Sequence, residues 1–393
     1  MTEARSAAPL PHVTQVLLCL GRGGLESLAV QLAVGLKRRG YGSSVIALDE
    51  GGELEATLAN ANVPYHIFGR RSFRTVRYHR DMFRLLRRIA PDVLHTHNVS
   101  PLIRALPAAK LAGVQRMVHT EHGTGYMDER PSVHRMVRVA SLFVDEFVLV
   151  GNRLIPYYRD RIGVRTHHLR VVFNGVDVER FQPMSDVPSA RARAGLPPGL
   201  LIGSAGRFTW EKNFGLLLRG VAAARESGVD VKLVLLGDGA QRAELESLVD
   251  TLGIRSAVSF IGWRADTETL LPLLDLYVVS SATEGLPLAV LEAMACGIPV
   301  ASTSVGELPA LLGDGTCGTL YPAGDVNALA TIIADANANP ARRARQGAMA
   351  RALVIREYSI GRMLERYIAS YHRGSPGKAL LAPPAIGPHA VEG

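Results

Sequence analysis

The chain has 393 residues, 47% hydrophobic and 20% charged, with a formal net charge of +8. That length suits two domains, each with its own core, and the composition excludes global disorder. No apolar run reaches the roughly 18–20 residues of a membrane span. Three scattered cysteines, Cys19, Cys296 and Cys317, suggest neither a disulfide framework nor a zinc cage, and the N-terminus lacks a secretory-signal layout. The expected setting is therefore reducing and cytoplasmic.

Short apolar runs alternate with amphipathic stretches, the pattern of parallel α/β units. Val13 to Leu20 reads as a buried strand, turned by Gly21-Arg22-Gly23-Gly24 into a helix from about Leu25 to Arg39. Strands are expected at 45–48 and 63–68, then an arginine-rich helix over Tyr78 to Ile89. Further strands of the same sheet are expected at 93–95, 114–120 and 146–150. Periodicity fails between 165 and 199, which places a domain boundary after Pro183. Alternation resumes with strands at 200–204, 232–236, 258–261, 276–279 and 299–302, and residues 341–372 read as one or two terminal helices. Residues 1–183 and 184–357 are thus two Rossmann-like domains, 358–372 a closing helix and 373–393 a Pro- and Gly-rich tail expected to lack order. Two such halves create a cleft at the carboxyl ends of their strands, where ligands of such sheets bind.

The positive charge is uneven. Residues 1–180 hold 25 Lys+Arg against 16 Asp+Glu, and residues 181–393 hold 19 against 20. Eight arginines lie between Arg70 and Arg88, opposed only by Asp81. A solvated helix face and a surface for anionic partners both fit. Of such partners, a membrane leaflet or a phosphorylated acceptor fits better than nucleic acid, for which no fold signature is present.

In the second half, Gly206-Arg207-Phe208-Thr209-Trp210-Glu211-Lys212 closes a strand and precedes a helix. Its Arg and Lys can converge on one anionic group. Glu284-Gly285-Leu286-Pro287 follows a later strand, with Pro287 suited to the first turn of the next helix. The amides of Leu288 and Ala289 would then face an anion. Glu292 lies a little over two turns on, among Val290, Leu291, Ala293 and Met294, so a buried carboxylate in need of partners is expected there. Two carboxylates suit hydroxyl-rich ligands, since carboxylates accept hydroxyl hydrogen bonds and repel phosphates.

In the first half, His95, His97, His119 and His122 fall at the ends of two strands. Imidazoles could bind a metal, but only Glu121 is a nearby carboxylate, and none is expected. Alternation sets His119 and Glu121 on one face and Thr120 and His122 on the other. Structural hydrogen bonding is the expected role of His95 and His119. The glycine turn lacks the third glycine of a dinucleotide fingerprint, with Glu26 in its place.

Five pieces in order resemble the retaining nucleotide-sugar glycosyltransferases of family 4, whose fold is GT-B, two Rossmann-like domains facing across a cleft. They are Gly23-Gly24 with Glu26, Phe173-Asn174-Gly175-Val176-Asp177 with Phe181, Gly206-Arg207 with Lys212, Gly237-Asp238-Gly239, and Glu284 with Glu292. They span about residues 13–370. The resemblance implies transfer of a hexosyl group from a nucleoside diphosphate sugar to an acceptor hydroxyl, without metal or cofactor. It puts Arg207, Lys212, Gly23, Gly24, Leu288 and Ala289 at the donor diphosphate, Glu292 at the ribose, and Arg264 with Gly237 at the base. Glu284 would contact the transferred sugar and His122 would lie beside the anomeric carbon, with His97 and Asn98 lining the acceptor pocket. The closing helix would return to the first domain. A nucleotide-sugar epimerase and a non-catalytic nucleotide-binding module are the alternatives. The basic first half suggests an acceptor that is lipid-linked or phosphorylated, with residues 70–88 at the inner face of a membrane.

Overall fold

A computed structural model describes residues 10–21, 23–70, 72–123, 131–196, 199–313 and 315–372. The expected tail, Arg71 of the arginine run and residues 1–9 lie outside them. The chain divides into two compact units. One runs to Asn174 and takes back the chain from Met363, while the other covers Gly175–Arg362. The junction lies inside the Phe173-Asn174-Gly175 motif, earlier than the division after Pro183 read from the sequence.

The first unit holds a seven-stranded parallel sheet in the order β3-β2-β1-β4-β5-β6-β7. Its strands are β1 His12–Cys19, β2 Gly42–Glu50, β3 Tyr65–Ile67, β4 Val93–His97, β5 Arg116–Glu121, β6 Glu146–Leu149 and β7 Leu169–Val171. Both faces of the sheet are covered, which is why its central strands read as apolar runs. On one face, α1 (Gly24–Arg38) and α2 (Glu55–Asn60) pack on Leu17, Val45 and Ala47. On the other, α3 (Val76–Ile89), α4 (Val99–Ala112) and α5 (Pro131–Ser141) form a second layer over Val16, Ile46, Leu94, Met117 and Phe147. Thr75 caps α3 by accepting from the Tyr78 amide at 3.2 Å. Tyr78, Met82 and Leu86, one turn apart, bury its apolar stripe and leave the arginines outside.

The terminal helix Ile360–Tyr371 belongs to the first unit from Met363 onward, its Leu364 side chain lying against Gly35 of α1. Tyr367 and Tyr371 carry their hydroxyls into the buried polar layer of β1, β4 and β5.

The second unit has a six-stranded parallel sheet in the order β10-β9-β8-β11-β12-β13. Its strands are β8 Leu200–Ala205, β9 Val231–Leu236, β10 Val258–Gly262, β11 Leu276–Val279, β12 Val300–Thr303 and β13 Gly318–Tyr321. Helix Phe214–Glu226 approaches helix Val326–Ala338 closely at Gly220, where a side chain would meet Leu329. Two strands went unread in the sequence, β7 and β13. Each is short and lies at a sheet edge, so it lacks the continuous apolar run that marks a strand buried on both faces.

The Tyr371 hydroxyl lies 2.8 Å from His95 Nδ1 in a fully buried setting. Tyr371→Phe should leave that nitrogen without its partner and cost about 1–3 kcal/mol in urea unfolding; an unchanged midpoint would show that the terminal helix does not depend on this contact.

Candidate functional site

In each unit the sheet order reverses beside its first strand, between β1 and β4 and between β8 and β11. At such a point the loops leaving adjacent strands diverge and open a crevice at the carboxyl edge. The residues singled out from the sequence fall at these edges, in two groups, one per unit.

In the second unit, the loop after β8 carries Arg207 and Lys212, and the loop after β11 carries Glu284. Lys212 Nζ lies 2.6 Å from Glu284 Oε1, an ion pair that spans the reversal. Ser281 Oγ donates to the same oxygen at 2.6 Å. The loops are also sewn together through their backbones. Ser280 Oγ donates to Lys212 O at 2.9 Å, and the Ala282 amide donates to Glu211 O at 2.8 Å. Asn213, in the left-handed region at φ 46°, ends the loop, and its side chain caps helix Phe214–Glu226 at the Leu216 amide. Tyr277 on β11 both donates to Ala205 O and accepts from Ala205 N at the end of β8.

Pro287 is corrected by one position. It is extended (ψ 127°) and caps helix Leu288–Ala295 rather than forming its first turn. The Val290 amide returns to Pro287 O at 3.2 Å, which leaves the amides of Leu288 and Ala289 free of intrahelical partners. Glu292 on this helix is half-buried, and its carboxylate makes no hydrogen bond among the described residues. The expectation of a built-in partner is thus not met. Burial pushes its pKa up to about 7, opposed by the charge of Arg180 and reinforced by Glu268.

Gly237 follows β9 at φ 134°, where a side chain would collide with the Gly206 carbonyl. Gly306 plays a similar part under the Glu284 loop, since a Cβ there would strike the carbonyls of Glu284 and Gly285. Arg207 is exposed, with no side-chain partner among the described residues. Arg264, also exposed, is held by Asp266 in a two-pronged pair at 2.8 and 2.6 Å.

The first unit builds a buried polar ladder. His95 bonds Tyr371 Oη through Nδ1 and Thr120 Oγ1 through Nε2 at 2.7 Å, and Thr120 Oγ1 lies 3.2 Å from Tyr367 Oη. His119 lies between Thr96 Oγ1 and Glu121 Oε1 on the opposite face. Both histidines thus have structural partners. His97 is 1% exposed and uses both ring nitrogens, Nε2 at 2.8 Å from Gln15 Oε1 and Nδ1 at 3.2 Å from His122 Nε2. With Gln15 Oε1 as acceptor, His97 carries its hydrogen on Nε2 and receives one from His122 Nε2, leaving His122 Nδ1 a lone pair. Asn98, at φ 65°, receives the His122 amide on Oδ1 at 3.3 Å and fixes where that ring begins. Gln15 and Ser281 were missed from the sequence. Gln15 left one signal, a polar residue inside an apolar strand, and Ser281 left none.

Gly23 caps α1 and Gly24 opens it. Glu26 folds back over this end, so a side chain on Gly23 would strike its carboxylate. The acid sits where the helix favours negative charge.

Two parallel α/β units, of seven and six strands, with charged side chains at their carboxyl edges define the GT-B glycosyltransferase architecture. HepE of Anabaena in complex with UDP superposes with a TM-score of 0.80 at 20% identity, covering 91% of this chain and 99% of that one. Sucrose-phosphate synthase of Thermosynechococcus elongatus superposes at 0.76 with 20% identity, covering 92% and 98%. The sequence matches the family described as Glycosyltransferase Family 4 over residues 22–180 and that described as Glycosyl transferases group 1 over residues 189–353. The chain belongs to glycosyltransferase family 4. It is 27% identical over 271 residues to the UDP-Gal:alpha-D-GlcNAc-diphosphoundecaprenol alpha-1,3-galactosyltransferase of Escherichia coli, covering 65% of this chain and 69% of that one. It is 34% identical over 245 residues to the D-inositol 3-phosphate glycosyltransferase of Mycolicibacterium paratuberculosis, covering 57% and 55%.

Burial and the neighbouring imidazoles hold His95 and His97 well below the usual histidine range, and His122 is held down at about 3. Between about pH 6.5 and 3 the unfolded chain therefore binds protons that the folded chain refuses, so stability falls with falling pH. Denaturant titrations across that window should show the loss, and His122→Asn should reduce it; a slope unaffected by this substitution would remove His122 from the account.

Proposed function

We propose that the chain transfers a hexosyl group, with retention of anomeric configuration, from a nucleoside diphosphate sugar to an acceptor hydroxyl in polysaccharide, glycolipid or other glycoconjugate synthesis, needing no metal or cofactor. The Lys212–Glu284 pair across the β8/β11 reversal is the observation that carries the reading. A cation suited to a diphosphate and a carboxylate suited to a sugar hydroxyl thus lie within one hydrogen bond of each other, which supports the reading. Arg207 and the amides of Leu288 and Ala289 add donors for the phosphates, and the unpartnered Glu292 carboxylate suits ribose hydroxyls. The named activities of the relatives agree, including a UDP-galactose-dependent transferase, as does the HepE complex with UDP-glucose.

In this reading the bond from C1 to the diphosphate breaks as the acceptor oxygen bonds to C1 on the same face. The acceptor proton passes to the departing phosphate oxygen, so no side-chain base is required. Lys212 and Arg207 offset the charge that grows on the leaving group, while His122 orients sugar and acceptor through Nδ1. Gly237, packed directly on the Gly206 backbone, presents its loop to the base, and Arg264 reaches the base by exchanging Asp266 for the ligand. Asn98 contributes to the acceptor side, where His97 acts only by fixing His122.

Lys212→Ala and Glu284→Ala should each lower kcat about 10²–10³-fold with the fold intact by circular dichroism; undiminished turnover in both removes the site. A donor-only incubation distinguishes the epimerase alternative, which would convert donor without acceptor. Ribose hydroxyls stabilise the charged form of Glu292, so nucleoside diphosphate binding near pH 7 should release protons. Calorimetry in buffers of differing ionisation enthalpy reads the sign, and uptake would count against Glu292 as the ribose ligand.

A further inference from the structure

Helices α3, α4 and α5 lie side by side on one face of the first unit's sheet, α4 between the other two. Across these three helices there is one acid, Asp81, which pairs with Arg77 and Arg80. Their outer sides carry Arg84, Arg87, Arg88, Lys110, Arg135 and Arg138 as exposed cations. Arg84, Arg87 and Arg88 make no ion pair among the described residues. The same layer exposes large apolar side chains. Val76 begins α3, Leu111 lies near the end of α4, and Met136, Val139, Leu142 and Phe143 run along α5 and just past it, with Leu142 49% and Phe143 51% exposed. Of the twelve large hydrophobic residues exposed among the described residues, six belong to this layer. The arginine run read from the sequence is therefore only one edge of the surface. Beside it, an open recess of about 620 Å³ between β3 and α3 is lined by His66, Arg84 and Arg88, with Asp81 as its one acid.

Cations without counter-charges around protruding apolar side chains are the two halves of an interfacial lipid contact. Coulombic attraction draws the face to anionic headgroups, and the apolar tips enter the acyl boundary. A soluble protein partner would need an acidic surface with matching apolar pockets, whereas a bilayer supplies both from any direction. We propose that the α3–α4–α5 face docks the chain on an anionic lipid bilayer, with Leu142 and Phe143 inserting and Arg84, Arg87 and Arg88 at the phosphates. This names the surface where an acceptor is met in the reading above, but it is tested without turnover and stands or falls separately.

Full-length protein should co-sediment with vesicles of phosphatidylcholine containing about one-third phosphatidylglycerol, bind pure phosphatidylcholine at least about tenfold less, and be released by salt. The double variants Leu142→Ser with Phe143→Ser, and Arg84→Glu with Arg88→Glu, should each weaken binding about tenfold or more with unchanged thermal melting. Phe143→Trp serves as a second measurement, and its emission, corrected for the parent, should shift to shorter wavelength on anionic vesicles only. Inorganic phosphate that displaces the protein from vesicles at unchanged ionic strength would reassign the arginines to free phosphate and overturn the proposal. So would binding indifferent to lipid charge, native affinity in both double variants, or a dimer in sedimentation velocity that the apolar variant abolishes while lipid binding is absent.

Discussion

A parallel sheet brings the loops that leave its strands to one edge, and a reversal of strand order forces two of those loops apart. In the second unit that gap is bridged by the Lys212–Glu284 pair, and much of the local architecture serves it. Ser280 and Ala282 hold the backbone of the Lys212 loop, Ser281 shares the carboxylate, Gly306 lets the next loop pass beneath, and Tyr277 ties β8 to β11. A half-buried ion pair is worth having only when its remaining hydrogen-bond capacity is met, and here Ser281 meets part of it. Among the described residues, Arg207 and Glu292 make no side-chain hydrogen bond, in contrast to the sewn loops.

The first unit solves a different problem. Strands β1, β4 and β5 bring polar side chains into its interior, where each costs free energy unless bonded. Gln15, Thr120, Tyr367 and Tyr371 bond the face bearing His95 and His97, and Thr96 and Glu121 bond His119 on the other. The result is a chain of contacts from the terminal helix toward His122. Burial keeps His95, His97 and His122 neutral, and neutrality is what allows each of these rings to donate at one nitrogen and accept at the other.

The alternation of strands and helices was legible because strands buried on both faces must be apolar throughout. It failed at β7 and β13, edge strands with one neighbour each. Lys212 and Glu284 were legible as separate loop residues, but their contact was not, since it depends on β8 and β11 being neighbours in a sheet whose order is not the order of the sequence. The burial of His97 is not legible for a similar reason. Alternation gives the face on which a side chain lies but not what covers that face, and here a helix more than 260 residues later covers it. The exposed residues of α5 escaped notice because a helical period marks an apolar stripe without saying whether anything packs on it.

The terminal helix has a consequence for synthesis. The second unit, from Gly175 to Arg362, is contiguous and can complete its core as soon as it clears the ribosome. The first unit begins earlier but needs Tyr367 and Tyr371 to satisfy Thr120 and His95, so its interior stays unfinished until the second unit and the helix beyond it have been made. The half that starts first closes last.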